Sequence, residues 1–299
     1  MKFNYFNKLL DFIKEKHHNN FISLEEIYDG GSSYNFCLKT KEDKYFLKLI
    51  PQSDEQRIEK TLQLLKCFYG AQIAHPDELK TADAAYCIMA MPYIDGHKLT
   101  AKQFTPSLYL QLQNTYQEMM AQSVPEKYVF PQQTLQDLKI KIDDTLRHSK
   151  GFAYKLIDIL FWRQFRQRLV TLPAKTQVIH GDFTLKNILV DKTGKPHIMD
   201  FELVRFGYVT EDWAMLLLQL ANFNKLWGNM ARLKKDYALM QNLGADNQQW
   251  LHGVQMFYLE RLRRRLTDVR KKHNLRKNLC FLCSLMRYFA VERLILKQS

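Results

Sequence analysis

The chain is expected to fold as an α+β protein: a small antiparallel-sheet lobe comes first, and a large, mainly helical lobe follows. Three observations lead there. Residues 21–51 hold three short segments rich in β-branched and aromatic residues, separated by turn formers. Beyond residue 97 the apolar residues recur mostly at helical spacing, and within that helical stretch lies a single strand–loop–strand island at residues 177–201.

Each element follows from its pattern. Phe3, Phe6, Leu9, Leu10 and Ile13 repeat at helical spacing, so residues 3–16 read as an amphipathic helix. The period then shortens through FISLEEIYDGGSSYNFCLKTKEDKYFLKLIP, broken at Asp29-Gly30-Gly31 and Lys41-Glu42-Asp43, which predicts an antiparallel meander. Helical spacing returns at Ile58, Leu62, Leu65 and Phe68, with Ser53 or Asp54 as N-cap. AAYCIMAMPYIDG, residues 84–96, adds one more apolar strand ending in a Pro/Asp/Gly turn. The lobes are expected to divide there, into 1–92, a connector at 93–96, and 97–299. Helix is expected to about Val170, interrupted by the polar, proline-bearing stretch from Ser123 to Gln133, and again after the island. No internal repeat or low-complexity segment is present.

With 299 residues, 46% of them hydrophobic, the chain can fill a substantial core. No apolar run reaches the roughly 18 residues a membrane span needs, and the charged start lacks a small-residue cleavage site, so a cytoplasmic protein is expected. The five cysteines, Cys37, Cys67, Cys87, Cys280 and Cys283, are scattered and odd in number, which argues against a disulfide framework. Cys280 and Cys283 form a C-x-x-C without a second pair, and NLCFLCSLMRYF reads as a buried helix face. A net charge of +13 concentrates in ERLRRRLTDVRKKHNLRKN, residues 260–278. That run is either a solvated helix face or an attractor of phosphate on nucleic acid, a membrane surface or a small anion.

The island carries the chemistry. QVIHGDFTLKNILVDKTGKPHIMDFE reads as strand, polar loop and hairpin, and it brings forward Asp182, Asn187 and Asp200. Two carboxylates and an amide oxygen form a hard donor set that suits Mg²⁺ and does not suit zinc. D-x-x-x-x-N followed by a hairpin and Asp-Phe is the spacing by which kinases place a base, a metal amide and a metal carboxylate.

IHGDFTLKNIL with HIMDFE and EDWA resembles the aminoglycoside phosphotransferase and choline kinase family, whose catalytic-loop motif H-G-D-x-x-x-x-N is complete here as His180, Gly181, Asp182 and Asn187. The resemblance implies a bilobal protein-kinase-like fold, with the first lobe binding nucleotide and the last holding the acceptor. It implies ATP as donor, with GTP left open, Mg²⁺ on Asn187 and Asp200, and Asp182 as the base. His180 would orient the loop and Asp212 would brace it, although Asp212 also reads as the N-cap of a helix beginning at Trp213. In the first lobe DGGSSYNFCLKT resembles the family's phosphate-covering turn, which implies contacts from Gly31, Ser32, Ser33 and Asn35; serine and asparagine are also ordinary turn formers. Lys48 in YFLKLI would neutralise the α- and β-phosphates, with Glu59 as its helix partner and Glu55 the alternative one turn earlier. Lys48 also reads as a plain solvated lysine on a strand. MPYIDG resembles the connecting segment whose backbone near Met91 and Tyr93 binds adenine.

After Asp200 the chain has Glu202 in place of the protein-kinase glycine, no Ala-Pro-Glu and a short step to the next helix. A small-molecule hydroxyl acceptor is therefore expected, such as a sugar or amino alcohol, neutral or anionic because the last lobe is basic. Trp213, Trp227 and Tyr258 keep a choline-like acceptor open. Two alternatives stand beside it: a kinase of a lipid-linked or lipopolysaccharide sugar, peripheral to the inner membrane, and a non-catalytic module binding nucleotide, RNA or membrane.

Overall fold

Alternating apolar residues pack the first part of the chain onto both faces of one sheet. The computed structural model describes residues 6–27, 34–53, 55–69, 77–80, 85–148, 152–174, 177–223, 228–269 and 275–297. Helix α1 (Phe6–His17) is followed by strands β1 (Phe21–Ile27), β2 (Tyr34–Thr40) and β3 (Lys44–Pro51), helix α2 (Glu55–Tyr69), and strands β4 (Asp77–Lys80), β5 (Ala85–Pro92) and β6 (Gly96–Lys98). The sheet runs β1-β2-β3-β5-β4, and every pair in it is antiparallel. At the β2–β3 turn the Thr40 hydroxyl donates to the Asp43 carbonyl and accepts the Asp43 N–H, both at 2.9 Å, which fixes the register. One face, with Phe36, Leu38, Leu47, Leu49 and Ile88, buries Leu9 and Ile13 of α1. The other, with Ile50, Cys87, Met89 and Met91, packs on Ile58, Leu62 and Leu65 of α2. The expected meander and both helices are present; β4 was not expected, and Phe3 and Asp54 lie outside the described residues, which for α1 start at Phe6.

The remaining chain is helical around a small β insert. Helices α3 (Pro106–Met120) and α4 (Leu135–Arg147) precede α5 (Phe152–Ile157), which widens into a π turn at Asp158–Trp162 before α6 (Arg163–Phe165). Thr134 caps α4, its hydroxyl accepting the Asp137 N–H at 3.0 Å while Asp137 accepts from the Thr134 N–H at 3.1 Å. The insert comprises β7 (Val178–Ile179), β8 (Ile188–Asp191), β9 (Pro196–Ile198) and β10 (Arg205–Phe206), with β7 paired to β10 and β8 to β9. Helices α7 (Val209–Leu220), α8 (Met230–Met240), α9 (Asn247–Val269), α10 (Leu275–Met286) and α11 (Tyr288–Leu296) complete the chain. Gly253 lets α9 approach α7: a β-carbon there would stand 2.2 Å from the Thr210 carbonyl oxygen. Trp162, Trp213 and Trp250 are wholly buried in this core.

The chain divides into two compact units. Residues 1–97 take with them 121–128 and 191–193, and the rest forms the second unit. Two expectations change. Cys283 is exposed, because Leu282, Ser284 and Leu285 form the buried face of α10. The basic run is only partly a solvated face: Arg261 is largely buried, donating to the Phe223 carbonyl at 2.8 Å and lying 5.4 Å from the Phe257 ring. Residues 270–274 of that run, and Trp227, lie outside the described residues.

Candidate active site

The His180–Asn187 loop hangs from one buried carboxylate. Asp212 is fully buried, and its Oδ2 accepts the His180 N–H at 2.6 Å and the Tyr116 hydroxyl at 2.7 Å, while Oδ1 accepts the Gly181 N–H at 2.9 Å. Burial raises the Asp212 carboxyl above its ordinary range, against the pull of the hydrogen bonds from Tyr116 and the His180 N–H. Burial, reinforced by the Asp212 charge, also keeps the Tyr116 phenol protonated as donor. Asp212 does not cap a helix. α7 starts at Val209, and its first turn is closed by Glu211, whose Oε1 accepts the Tyr208 N–H at 3.0 Å. Asp212 is thus one residue further into the helix, directed at the loop.

His180 is wholly buried and its proton is placed by its partners. Nε2 lies 2.8 Å from the Met199 carbonyl, which can only accept, so Nε2 carries the hydrogen and Nδ1 accepts the Asp182 N–H at 3.2 Å. With both ring nitrogens engaged, His180 ties the loop to the end of the β9 segment. Gly181 has φ +80°, and a β-carbon there would meet the Leu203 carbonyl oxygen at 2.0 Å, so the turn before Asp182 admits only glycine.

The Asp182 carboxylate is nearly buried and asymmetrically engaged. Oδ2 accepts from Asn187 Nδ2 at 2.9 Å and pairs with Lys186 Nζ at 3.1 Å. Oδ1 has no hydrogen bond among the described residues. Asn187 Nδ2 also donates to the Asp182 carbonyl at 2.8 Å, which leaves the amide oxygen as the open end of that side chain. Lys186 is a participant the motif did not announce.

Asp200 is exposed and sits at φ 65°, ψ 66°, a left-handed conformation tolerated by aspartate better than by most residues. Its neighbours hold it there. The Met199 N–H donates to the Asn187 carbonyl at 2.8 Å, and Phe201 is buried 5.2 Å from the His180 ring. Among the described residues no group of three or more His, Cys, Asp or Glu gathers as a metal cluster. The donors the insert does offer, the Asn187 amide oxygen and the Asp200 carboxylate, are hard oxygens, and they fit Mg²⁺.

In the sheet unit Lys48 stands opposite Asn35 on β2 and Met89 on β5. It therefore shares the α2-facing side of the sheet with Ile50, Met89 and Met91. Asn35 is buried, and its Oδ1 has no hydrogen-bond partner among the described residues, which marks a polar position on that same face. Gly31, Ser32 and Ser33 lie outside the described residues. The expected Lys48–Glu59 pair is not formed: Glu59 is exposed and accepts from the Tyr128 hydroxyl at 2.5 Å and Lys127 Nζ at 3.1 Å, which hold its carboxyl below the usual range. The Glu55 side chain lies outside the described residues. Met91 is buried opposite Phe46, and the Tyr93 N–H is already spent on the Lys44 carbonyl at 3.0 Å.

Within the helical unit a cavity of about 530 Å³ reaches Gly181 and Leu203 and is walled by α4 and α9. Glu211 closes one side, buried, bonded to Arg205 at 2.5 Å and to His252 at 3.3 Å. Burial alone would push this carboxyl up, yet His252, Arg205 and the Tyr208 N–H outweigh it and hold it below its ordinary range. A depressed folded-state pKa gives stability that is present above the unfolded value and lost as pH falls through the folded one. Thermal melts from about pH 5 down to about pH 3 should therefore show a shallower loss of stability in Glu211→Gln than in the parent.

An antiparallel-sheet unit and a helical unit with an H-G-D-x-x-x-x-N loop braced by a helix aspartate define the protein-kinase-like class. The chain matches the phosphotransferase enzyme family (APH) over residues 23–253, and it belongs to that family. The choline kinase LicA from Streptococcus pneumoniae superposes with a TM-score of 0.55 at 14% identity, covering 97% of this chain and 99% of that one. The aminoglycoside phosphotransferase APH(4)-Ia gives 0.59 at 15% identity, covering 96% and 98%. A macrolide 2'-phosphotransferase type I gives 0.56 at 13% identity, covering 95% and 97%. No curated relative matches the chain by sequence.

Proposed function

We propose that the protein transfers the γ-phosphoryl group of ATP to a hydroxyl of a small molecule. The observation that carries this reading is the Asp182 carboxylate, with Oδ2 fixed by Asn187 and Lys186 and Oδ1 bearing no hydrogen bond among the described residues. Oδ1 would accept the acceptor's O–H proton as that oxygen bonds to the γ-phosphorus and the bond from phosphorus to the β–γ bridging oxygen breaks, releasing ADP. Asn187 and Asp200 would hold Mg²⁺, which would neutralise charge on the phosphates. For Asn187 this requires only that its amide oxygen be used, since its Nδ2 is the end engaged with Asp182. Lys48 would face the phosphates, with Asn35 beside it on the same sheet face. The neighbours' complexes support nucleotide use, because APH(4)-Ia variants bind AMP-PNP or ADP together with hygromycin B.

The test is nucleotide turnover by purified protein with ATP or GTP and Mg²⁺ against a panel of sugars, amino alcohols and anionic alcohols. Acceptor-dependent ADP release that disappears on chelation supports the reading. Release that no acceptor raises, and that Asp182→Asn leaves unchanged, overturns it. No helix among the described residues is long and apolar enough to cross a membrane, and acceptors presented on anionic vesicles belong in the same panel.

A further inference from the structure

We infer that the outward face of residues 152–166 docks on an anionic lipid bilayer surface, whatever reaction the helical unit supports. The segment FAYKLIDILFWRQFR is apolar on two sides. Tyr154, Ile157, Phe161, Trp162 and Phe165 are buried and fill the helical core. Phe152, Leu156, Ile159 and Leu160 recur at helical spacing on the other side. Phe152, Ile159 and Leu160 stand 66%, 52% and 43% exposed, so three large apolar side chains of one short segment face water together. A helix at a water-facing surface needs only one apolar side, and here the second has no use in the fold.

Cations border the apolar residues. Lys155 stands one turn before Ile159 and Arg163 one turn after it, and both open onto a groove of about 380 Å³ that Arg147 of α4 and Arg166 also line. The carboxylates of the groove are taken: Asp143 accepts from Trp162 Nε1 at 2.7 Å and from Arg166 at 3.3 Å, and Asp158 accepts from Arg163 at 3.0 Å. Asp144, the next carboxylate on α4, faces His148 at 3.1 Å. Arg147 and Lys155 are exposed and have no hydrogen bond or ion pair among the described residues. The connection from α4 to α5, Ser149-Lys150-Gly151, adds a cation and no carboxylate to the sequence. Long basic side chains of this kind reach lipid phosphates at the headgroup level while apolar neighbours enter the acyl boundary. A second copy of the chain, whose net charge is +13, would set the same unpaired cations against one another. Nucleic acid would meet the cations and leave Ile159 and Leu160 in water.

The experiment is co-sedimentation of the full chain with vesicles of phosphatidylcholine alone and of about 3:1 phosphatidylcholine to phosphatidylglycerol, across a salt series. Retention should be about tenfold stronger on the mixed vesicles and should weaken as salt rises. Arg147→Gln with Lys155→Gln should lower it about tenfold, and Phe152→Ser with Ile159→Ser by a similar factor. All four positions are exposed, and thermal melts of the variants should match the parent. Two controls bear on the location. Lys102→Gln with Lys234→Gln removes the same charge from exposed sites elsewhere, and Leu110→Ser removes an exposed apolar side chain from α3; both should stay within about twofold of the parent. Equal retention on both vesicles overturns the inference, as does a loss in the lysine control equal to that of Arg147 and Lys155, or retention that the Phe152 and Ile159 variant leaves unchanged. Absence of retention overturns it too, and a dimer in gel filtration that Ile159→Ser dissolves would then assign the face to a second copy.

Discussion

Asp182→Asn is expected to lower kcat by about 10²–10⁴-fold, the range general-base catalysis supplies, while KM for nucleotide and the melting temperature move little. The substitution keeps the shape of the side chain and removes its basicity. The loop does not depend on that carboxylate for its course: the Asp182 N–H is held by His180, and its carbonyl by Asn187 Nδ2 at 2.8 Å. The contact most affected is the pair with Lys186, whose side chain is 61% exposed and therefore adds little to stability. Steady-state kinetics with the best acceptor from the panel and a thermal melt separate the outcomes. A drop in kcat with an unchanged melt places the effect in the chemical step. A kcat within threefold of the parent removes Asp182 as the base.

Lys186 deserves a parallel measurement because it shares Oδ2 with Asn187. If Asn187 turns its amide oxygen to a metal while Nδ2 stays on Asp182, Lys186 becomes the second group holding the carboxylate in orientation. Lys186→Ala should then reduce kcat by about tenfold, with Lys186→Arg recovering part of it. An unchanged kcat in Lys186→Ala makes the pair a surface contact.

The island was legible because its participants are local in sequence. His180, Asp182 and Asn187 lie within eight residues, and a short loop and hairpin deliver them to one place with little help from the rest of the chain. What escaped reading depends on distance along the chain. Tyr116 reaches Asp212 from α3, 96 residues away, and nothing in the helical spacing of PSLYLQLQNTYQEMM marks one tyrosine as a donor and the next as packing. Glu59 had the right position on α2 for the lysine of β3, but residues 127 and 128 fold onto that helix and take its carboxylate. The cap at α7 was misplaced by a related cause: Glu211 and Asp212 are both acidic residues in a first turn, and only their orientation separates the one that caps from the one that braces. The cavity is legible from no single segment, since its walls come from residues 130–141 and 256–264, which periodicity alone assigns to two unrelated helices.

Asp212→Ala should carry the larger structural penalty of the site, about 3–5 kcal/mol of stability, because it strips three buried donors of their acceptor. The His180 N–H, the Gly181 N–H and the Tyr116 hydroxyl all converge on this one carboxylate, and no water-accessible surface surrounds it. A chain of this size loses on the order of 10 °C in melting temperature for such a change. Tyr116→Phe removes one donor and leaves the other two satisfied, so it should cost only about 1 kcal/mol. Asp212→Asn falls between, since its NH₂ must face a donor whichever way the amide turns. Kinetics give the second reading: below the melt of the alanine variant, kcat should fall with KM for nucleotide nearly constant, because the loop that carries Asp182 is released while the sheet unit is untouched. Melting temperatures of Asp212→Ala and Tyr116→Phe that coincide with the parent's would show the loop held by the His180 contacts alone, and the brace would then be Met199 and Asn187, not α7.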